Sequence, residues 1–241
     1  MLGLVNEFGF QARHALKLIF RYPKLNLDEV DYDAYWDSKR KDRMGQTSLF
    51  QRRRADLVAA DLAEGASVLD VGCGDGAVLL YLIEKKKLNA CAADISDRAL
   101  QFLESKGVRT IRFDMNHADA IASLPVVDHV FLFEVLEHMP NPEAFLKRIE
   151  GKAKRSIFFS IPNTGYFAYR VRLLLGRTAM QWRSHPGEHV RFWTRKDLDW
   201  WLRELGYLDR SVVRVYEGFP ILNRIWGSLF GMGFVVKIEA K

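Results

Sequence analysis

The chain has 241 residues, 49% of them hydrophobic and 27% charged, with two cysteines and a net charge of +6. This is ordinary globular composition, long enough for one α/β domain with appendages and too cysteine-poor for a disulfide framework. No window reaches the roughly 18 apolar residues of a spanning helix, and the N-terminus lacks a signal-peptide pattern, so the protein is expected to be cytoplasmic.

Charge is unevenly spread. Residues 1–150 carry 20 basic and 23 acidic side chains, whereas residues 151–241 carry 16 and 7. The last third is therefore expected to face an anionic partner. Cys73 and Cys91 lie in turn and strand contexts and read as buried reduced thiols. No metal-ligand spacing such as a CxxC pair occurs, and no metal is expected.

Residues 1–25 have helical spacing, with Leu4, Phe8, Ala12, Ala15, Leu16 and Ile19 on one face and Pro23 as the stop. Two roles are open to this helix: a lid on its own domain, or a basic, Phe-rich contact with a membrane surface. Residues 26–50, Asp31–Trp36 included, read as a mobile connector, and a helix follows over 49–63. Residues 1–60 are thus expected to form a helical lid or cap ahead of a domain over 61–241.

From residue 67 strands and helices alternate. Strands are expected at 67–72, 89–95, 108–113, 127–134 and 155–161, with helices at 76–87, 97–106, 116–123 and 141–151. Asp97 reads as an N-cap and Gly107 as a helix stop. The strands are apolar on both faces, as in a parallel sheet covered by helices. An insertion rich in Arg and aromatics spans 164–193. A helix over 194–205 follows, capped by Thr194 and closed by Gly206, and strands at 208–217 and 233–240 form a terminal antiparallel hairpin around an apolar loop. The expected fold is a doubly wound, Rossmann-like seven-stranded α/β sheet with helices on both faces.

In such a sheet ligands bind at the carboxyl ends of the strands, where strand order reverses. The first strand ends in Asp70 and then Gly72-Cys73-Gly74-Asp75-Gly76; the second ends in Asp94-Ile95, the third in Asp114-Met115, and the fourth in Phe133-Glu134. An acid at the second tip can accept from both ribose hydroxyls and would repel a phosphate there. The spacing G-x-G-x-G differs from the dinucleotide fingerprint. Asp70 and Asp75 would oppose a pyrophosphate and suit a ligand with a cationic amine and a sulfonium. Asp114 can accept from an adenine amine while Ile95 and Met115 sandwich the ring.

VLDVGCGDG at 68–76, AADIS at 92–96, FDM at 113–115 and FLFEVLEHM at 131–139 together resemble the class I S-adenosylmethionine-dependent methyltransferases over about 65–240. The resemblance implies that Asp70, Gly72, Gly74 and Gly76 hold the methionine part of S-adenosylmethionine. It also implies Asp94 on the ribose, Asp114 and Met115 at adenine, and Phe133 with Glu134 beside the amino acid moiety. FFSIPNTGYFAYRVRLLLGR at 158–177 and HVRFWTRKDLDWWLRELGY at 189–207 are similar to the MetW-like and ubiquinone-methyltransferase-like branch. EVLEHM departs from the fourth-strand tip of MetW itself.

Methyl transfer to a hydroxyl needs a base, and His138 and His189 are the candidates, with His185 more distant. Glu137 is placed to pair with His138 or to ligate a metal. The D/N-P-P-aromatic motif of amino-methylating enzymes is absent after the fourth strand, which disfavours exocyclic-amine methylation of nucleic acid. Basic residues Arg170, Arg172, Arg177, Arg183, Arg191 and Arg195 are interleaved with Tyr166, Phe167, Tyr169, Trp182, Phe192 and Trp193 as candidate contacts for an acidic sugar, a lipid phosphate or RNA. The expected activity is O-methylation of a small anionic acceptor such as a glycan, a glycolipid or a prenylated precursor. A cofactor-binding partner of a homoserine acyltransferase and an RNA methyltransferase are the alternatives.

Overall fold

The central strands are apolar on both faces: Ser67–Val71 and Val127–Phe133 are buried almost throughout, and Asn89–Asp94 and Ala153–Pro162 over most of their length. The computed structural model describes residues 2–22, 40, 43–115, 117–181 and 188–241. Its strands are β1 (Ser67–Val71), β2 (Asn89–Asp94), β3 (Arg109–Arg112), β4 (Val127–Phe133), β5 (Ala153–Pro162), β6 (Ser211–Gly218) and β7 (Gly231–Glu239). They form one sheet in the order β3-β2-β1-β4-β5-β7-β6. β1 to β5 run parallel, and β7 is antiparallel to both β5 and β6. This is the expected doubly wound seven-stranded sheet, and its strand order reverses between β1 and β4.

The helices are α1 (Leu2–Phe20), α2 (Leu49–Ala59), α3 (Ala77–Lys86), α4 (Asp97–Ser105), α5 (Pro142–Ile149), α6 (Phe167–Leu174), α7 (Arg195–Glu204), α8 (Leu222–Ile225) and α9 (Gly227–Phe230). Period-two alternation sends each strand's side chains to two separate cores. Leu69, Val71, Val130 and Leu132 pack with Phe145 of α5 and Trp201 of α7. Val68, Phe131 and Phe158 pack on the other face with Val58 of α2, Leu79 of α3 and Leu103 of α4. Phe131, Phe158 and Phe159 are fully buried, each gaining about 2–3 kcal/mol of transfer free energy.

Local signals set the helix ends. Ser48 starts α2 in a capping box with Gln51, and Thr194 does the same for α7 with Asp197. The N-cap of α4 is Ser96, which accepts from the Ala99 amide at 3.1 Å. Asp97, the expected cap, instead sits in the first turn and pairs with Arg112 at 3.0 Å. Ser96 has the extended backbone a cap requires, so the two adjacent cap-forming residues divide the roles. The helix expected at 116–123 is a 3-10 turn over Ala118–Ser123. The insertion at 164–193 contains α6, and the apolar loop before β7 contains α8 and α9.

α1 is rotated from its expected face. Ala15 and Ile19 are buried, but Leu16 is exposed, and Gln11, which is not among the residues of the expected apolar face, is almost fully buried. Gln11 donates to the buried Glu217 carboxylate at the end of β6, whose second oxygen pairs with Arg53 of α2. A buried carboxylate must be hydrogen-bonded, and that need turns the helix. Arg172 of α6 is also fully buried and donates to the carbonyls of Leu18, Ile19 and Arg21 at 2.9–3.1 Å. A cation thereby satisfies the orphan acceptors at the C-terminus of α1.

Candidate active site

At the β1 tip Gly72, Gly74 and Gly76 all have positive φ. A Cβ at Gly72 would lie 2.7 Å from Val135 just after β4, and one at Gly76 would lie 2.3 Å from Leu103. Gly72 therefore lets the β1 and β4 tips close on each other, and Gly76 lets the turn settle on α4. Asp94 locks the turn: it accepts from the Gly74 amide at 2.8 Å and from the Ser96 amide at 2.9 Å. A carboxylate has about four lone-pair positions, so this leaves capacity for ligand hydroxyls.

The two acids expected to favour a cationic ligand separate. Asp75 pairs with Arg40 at 2.9 Å and accepts from the Gly45 amide at 3.3 Å, so its charge is met within the chain. Asp70 is buried, and its Oδ1 has no hydrogen-bond partner. Burial pushes its carboxyl up to about 8; Arg54 works against the shift and Asp94 adds to it. A buried orphan acceptor beside a turn open to close approach fits a ligand carrying positive charge. At the β2 and β3 tips Ile95, Asp114 and Met115 are half-buried, and Asp114 lies 3.5 Å from His117.

Phe133 and Glu134 at the β4 tip are engaged from behind. Arg54 of α2 lies 3.0 Å from Glu134 and 5.2 Å from the Phe133 ring. Glu134 Oε1 also accepts from Ser160 Oγ at 2.7 Å and from Tyr216 OH at 2.8 Å. Burial opposes ionisation of Glu134, but Arg54 with these two hydroxyls outweighs it and holds the carboxyl below its usual range. Glu134 has φ +57, a strained backbone for a residue with a Cβ. Arg54, Ser160 and Tyr216 escaped the sequence reading. The one signal for Arg54 was its spacing with Ala55 and Val58 on the inward face of α2.

Beyond Val135 a 3-10 turn over Leu136–His138 brings the candidate bases together. The His138 and His189 rings lie 4.8 Å apart, edge to face. The loop bearing His189 is tied down by the Val190 and Arg191 amides, which both donate to the Glu137 carbonyl. His138 Nδ1 bonds the Glu188 carbonyl, which can only accept, so Nδ1 carries the proton and Nε2 the lone pair. Glu137 is buried with no hydrogen bond on either oxygen; burial, reinforced by Glu134, holds its carboxyl well above the usual range. Ligand atoms of Glu137, His138 and His189 all lie within 4.8 Å of one another, a cluster able to hold a metal ion, in which His189 joins the adjacent Glu137 and His138 from a distant loop.

Most of the interleaved arginines and aromatics are structural. Arg170 donates to the Gly165 carbonyl, Arg177 to that of Phe20, Arg191 pairs with Glu143 and Arg195 with Asp199. Tyr166 and Trp193 are buried and Phe167 and Tyr169 are packed against α1, whereas Phe192 is exposed. Trp182, Arg183 and His185, like Asp31–Trp36, lie outside the described residues. Cys73 is half-buried and Cys91 buried, and both are unpaired thiols.

The sequence model of the methyltransferase domain matches residues 39–212. The chain belongs to the methyltransferase-domain family. S-adenosylmethionine is the methyl donor of this domain. The chain is 24% identical over 174 residues to a ubiquinone biosynthesis O-methyltransferase of Leptothrix cholodnii, covering 68% of this chain and 73% of that one. It is 33% identical over 106 residues to (S)-coclaurine N-methyltransferase of Thalictrum flavum subsp. glaucum, covering 42% of this chain and 29% of the relative. The chain thus spans less than a third of the length of that relative. A crystal structure of a SAM-dependent methyltransferase from Archaeoglobus fulgidus superposes with a TM-score of 0.56 at 21% identity, covering 87% of this chain and all of that one. Among the described residues no helix is long and apolar enough to cross a membrane.

Proposed function

We propose that the protein is an S-adenosylmethionine-dependent O-methyltransferase acting on a hydroxyl of a small anionic molecule. The observation that carries the choice of atom is the meeting of His138 and His189 just beyond the β4 tip, since a hydroxyl acceptor must lose its proton as it is methylated. When bound, the cofactor supplies an electrophilic methyl on a sulfonium. Asp70 faces its positive charge, Asp94 its ribose, and Asp114 with Ile95 and Met115 its adenine. Glu134 and Phe133, held by Arg54, wall the amino acid end.

His138 Nε2 is placed to take the proton of the acceptor hydroxyl, whose oxygen would receive the methyl that the bound cofactor would release from its sulfur. Positioning supplies most of the remaining acceleration, because the displacement is in line. His189 buttresses His138 and borders the acceptor. Relatives of both O- and N-methylating kinds leave the acceptor to the site itself.

The test is labelled-methyl transfer into fractionated cell extract, followed by mass spectrometry of the product. His138→Gln should lower turnover by about 100-fold or more with cofactor affinity intact. Unchanged turnover in His138→Gln and in the double variant with His189→Gln overturns the base assignment.

The orphaned Glu137 carboxylate supports a second reading, in which Glu137, His138 and His189 bind a divalent cation that orients the acceptor oxygen. Activity lost to a chelator and restored by one divalent metal selects this reading. Activity indifferent to chelation selects the metal-free base.

A further inference from the structure

We propose that the face built by α1, the end of α6 and α8 is a docking surface for an anionic lipid bilayer. The surface is independent of the methyl-transfer chemistry and was carved out by the way α1 is held. Its buried stripe and the Arg172 clamp fix one side of the helix inward. The opposite side presents Phe10 (58% exposed), Leu16 (55%) and Phe20 (58%) to solvent. Between them, on the same outward arc, lie Arg13, Lys17 and Arg21, all exposed.

Two further elements continue the surface. At the C-terminal end of α1, Arg177 donates to the Phe20 carbonyl and, with Arg172, stacks on Tyr22 at 5.0 and 4.8 Å. Between Arg172 and Arg177, the two residues that bond the end of α1, Leu173, Leu174 and Leu175 are exposed, Leu174 to 85%. Toward the N-terminal end, Phe8 meets Phe219 at 5.0 Å, and Phe219 leads through Phe230 to Trp226. Ile225 (76% exposed) and Trp226 project there beside the exposed Arg224.

Charge selects the occupant. Residues 164–181 and 219–234 contain no acid, and the one acid within residues 2–22, Glu7, is neutralised by Arg53. Arg13, Lys17, Arg21 and Arg224 carry no ion pair among the described residues. Large apolar and aromatic side chains among cations that have no acidic partner among the described residues match the headgroup boundary of an anionic bilayer, where apolar area and charge act together. A second copy of the chain would bring the same cations against these and be repelled. The cavity of about 930 Å³ lined by Arg53, Tyr216, Arg224, Ile225 and Trp226 opens at the edge of this face.

The experiment is flotation of the full chain with vesicles of phosphatidylcholine containing phosphatidylglycerol, and of phosphatidylcholine alone. Wild type should float with the anionic vesicles and be released by salt. Arg13→Glu with Lys17→Glu should lower binding by about ten-fold or more, and Phe10→Ser with Phe20→Ser by a similar factor. Urea unfolding of each variant checks the fold, and the Glu pair at exposed positions keeps the test valid if the Ser pair unfolds. Failure of wild type to float, or equal binding by the Glu variant, overturns the proposal. Lipid-free dimerisation that the same substitutions abolish, without charge-dependent flotation, assigns the face to a second copy and also overturns it. Neither readout depends on methyl transfer.

Discussion

Asp70 couples cofactor binding to pH, and the sign follows from its burial. Its carboxyl sits at about 8, so at pH 7 roughly nine in ten molecules carry it protonated, and at pH 6 about ninety-nine in a hundred. A cationic ligand facing Oδ1 favours the ionised form, and binding must therefore release close to one proton at pH 7. Affinity for S-adenosylmethionine should fall about ten-fold, or about 1.4 kcal/mol, for each unit of pH below 7. The ligand's own α-amino group loses its proton near pH 8, which adds a second limb at higher pH.

Asp70→Asn separates the two. The variant has no carboxyl to titrate, so its low-pH limb disappears while the high-pH limb stays, and its affinity at pH 8 drops by about 1.5–3 kcal/mol for the lost charged contact. Calorimetric titration in two buffers of different ionisation enthalpy counts the released proton. A flat wild-type profile, no buffer dependence at pH 7, or the same low-pH slope in Asp70→Asn would refute the reasoning. The cofactor-free protein provides a cross-check. A folded carboxyl raised far above 3.8 stabilises fully below about pH 4 and loses that contribution as pH rises through about 8. Asp70→Asn should therefore raise the thermal midpoint of the cofactor-free protein more at pH 8 than at pH 5.

Gly72→Ala places a Cβ against Val135 at positive φ, and should cost about 1–3 kcal/mol in urea unfolding and abolish measurable cofactor binding. Asp94→Ala strips acceptors from the Gly74 and Ser96 amides and should weaken cofactor affinity at least 100-fold by calorimetry, with Asp94→Asn intermediate because it keeps one acceptor oxygen. Arg172→Met leaves three carbonyls of α1 without their donor. It should lower stability by about 3 kcal/mol and open the α1 backbone to hydrogen exchange without changing cofactor affinity.

The sheet was legible because its signals are local and repeated: apolar strands, tip acids and glycines recur at short range, and Thr194 or Gly206 marks an end without help from the rest of the chain. The turn at 72–76 was legible for the same reason. Interactions between distant segments were not. Arg54 sits in a run of three arginines that reads as a solvated face, and its partners Glu134, Ser160 and Tyr216 come from three different strands. His138 and His189 were each identifiable, but they lie fifty-one positions apart, and the bonds from the Val190 and Arg191 amides to the Glu137 carbonyl and from His138 to the Glu188 carbonyl bring the second loop over the first. Gln11 reads as polar surface until Glu217 is found opposite it.

The excess of positive charge in the last third is a different case, because there the totals were right and the inference from them was too direct. Arg191, Arg195, Arg210 and Arg214 each meet an acid of the same chain, and Arg170, Arg172 and Arg177 are spent on backbone carbonyls. Net charge can report a partner only after such internal contacts are set aside. Exposed cations that survive the subtraction include Arg13, Lys17 and Arg21, which belong to the first helix, and Arg224, which the fold brings to the same side. The face proposed for the bilayer thus draws its cations largely from the first helix, although residues 1–150 as a whole carry 20 basic and 23 acidic side chains. Arg172 and Arg177, whose bonds dock that helix, supply its link to the basic last third.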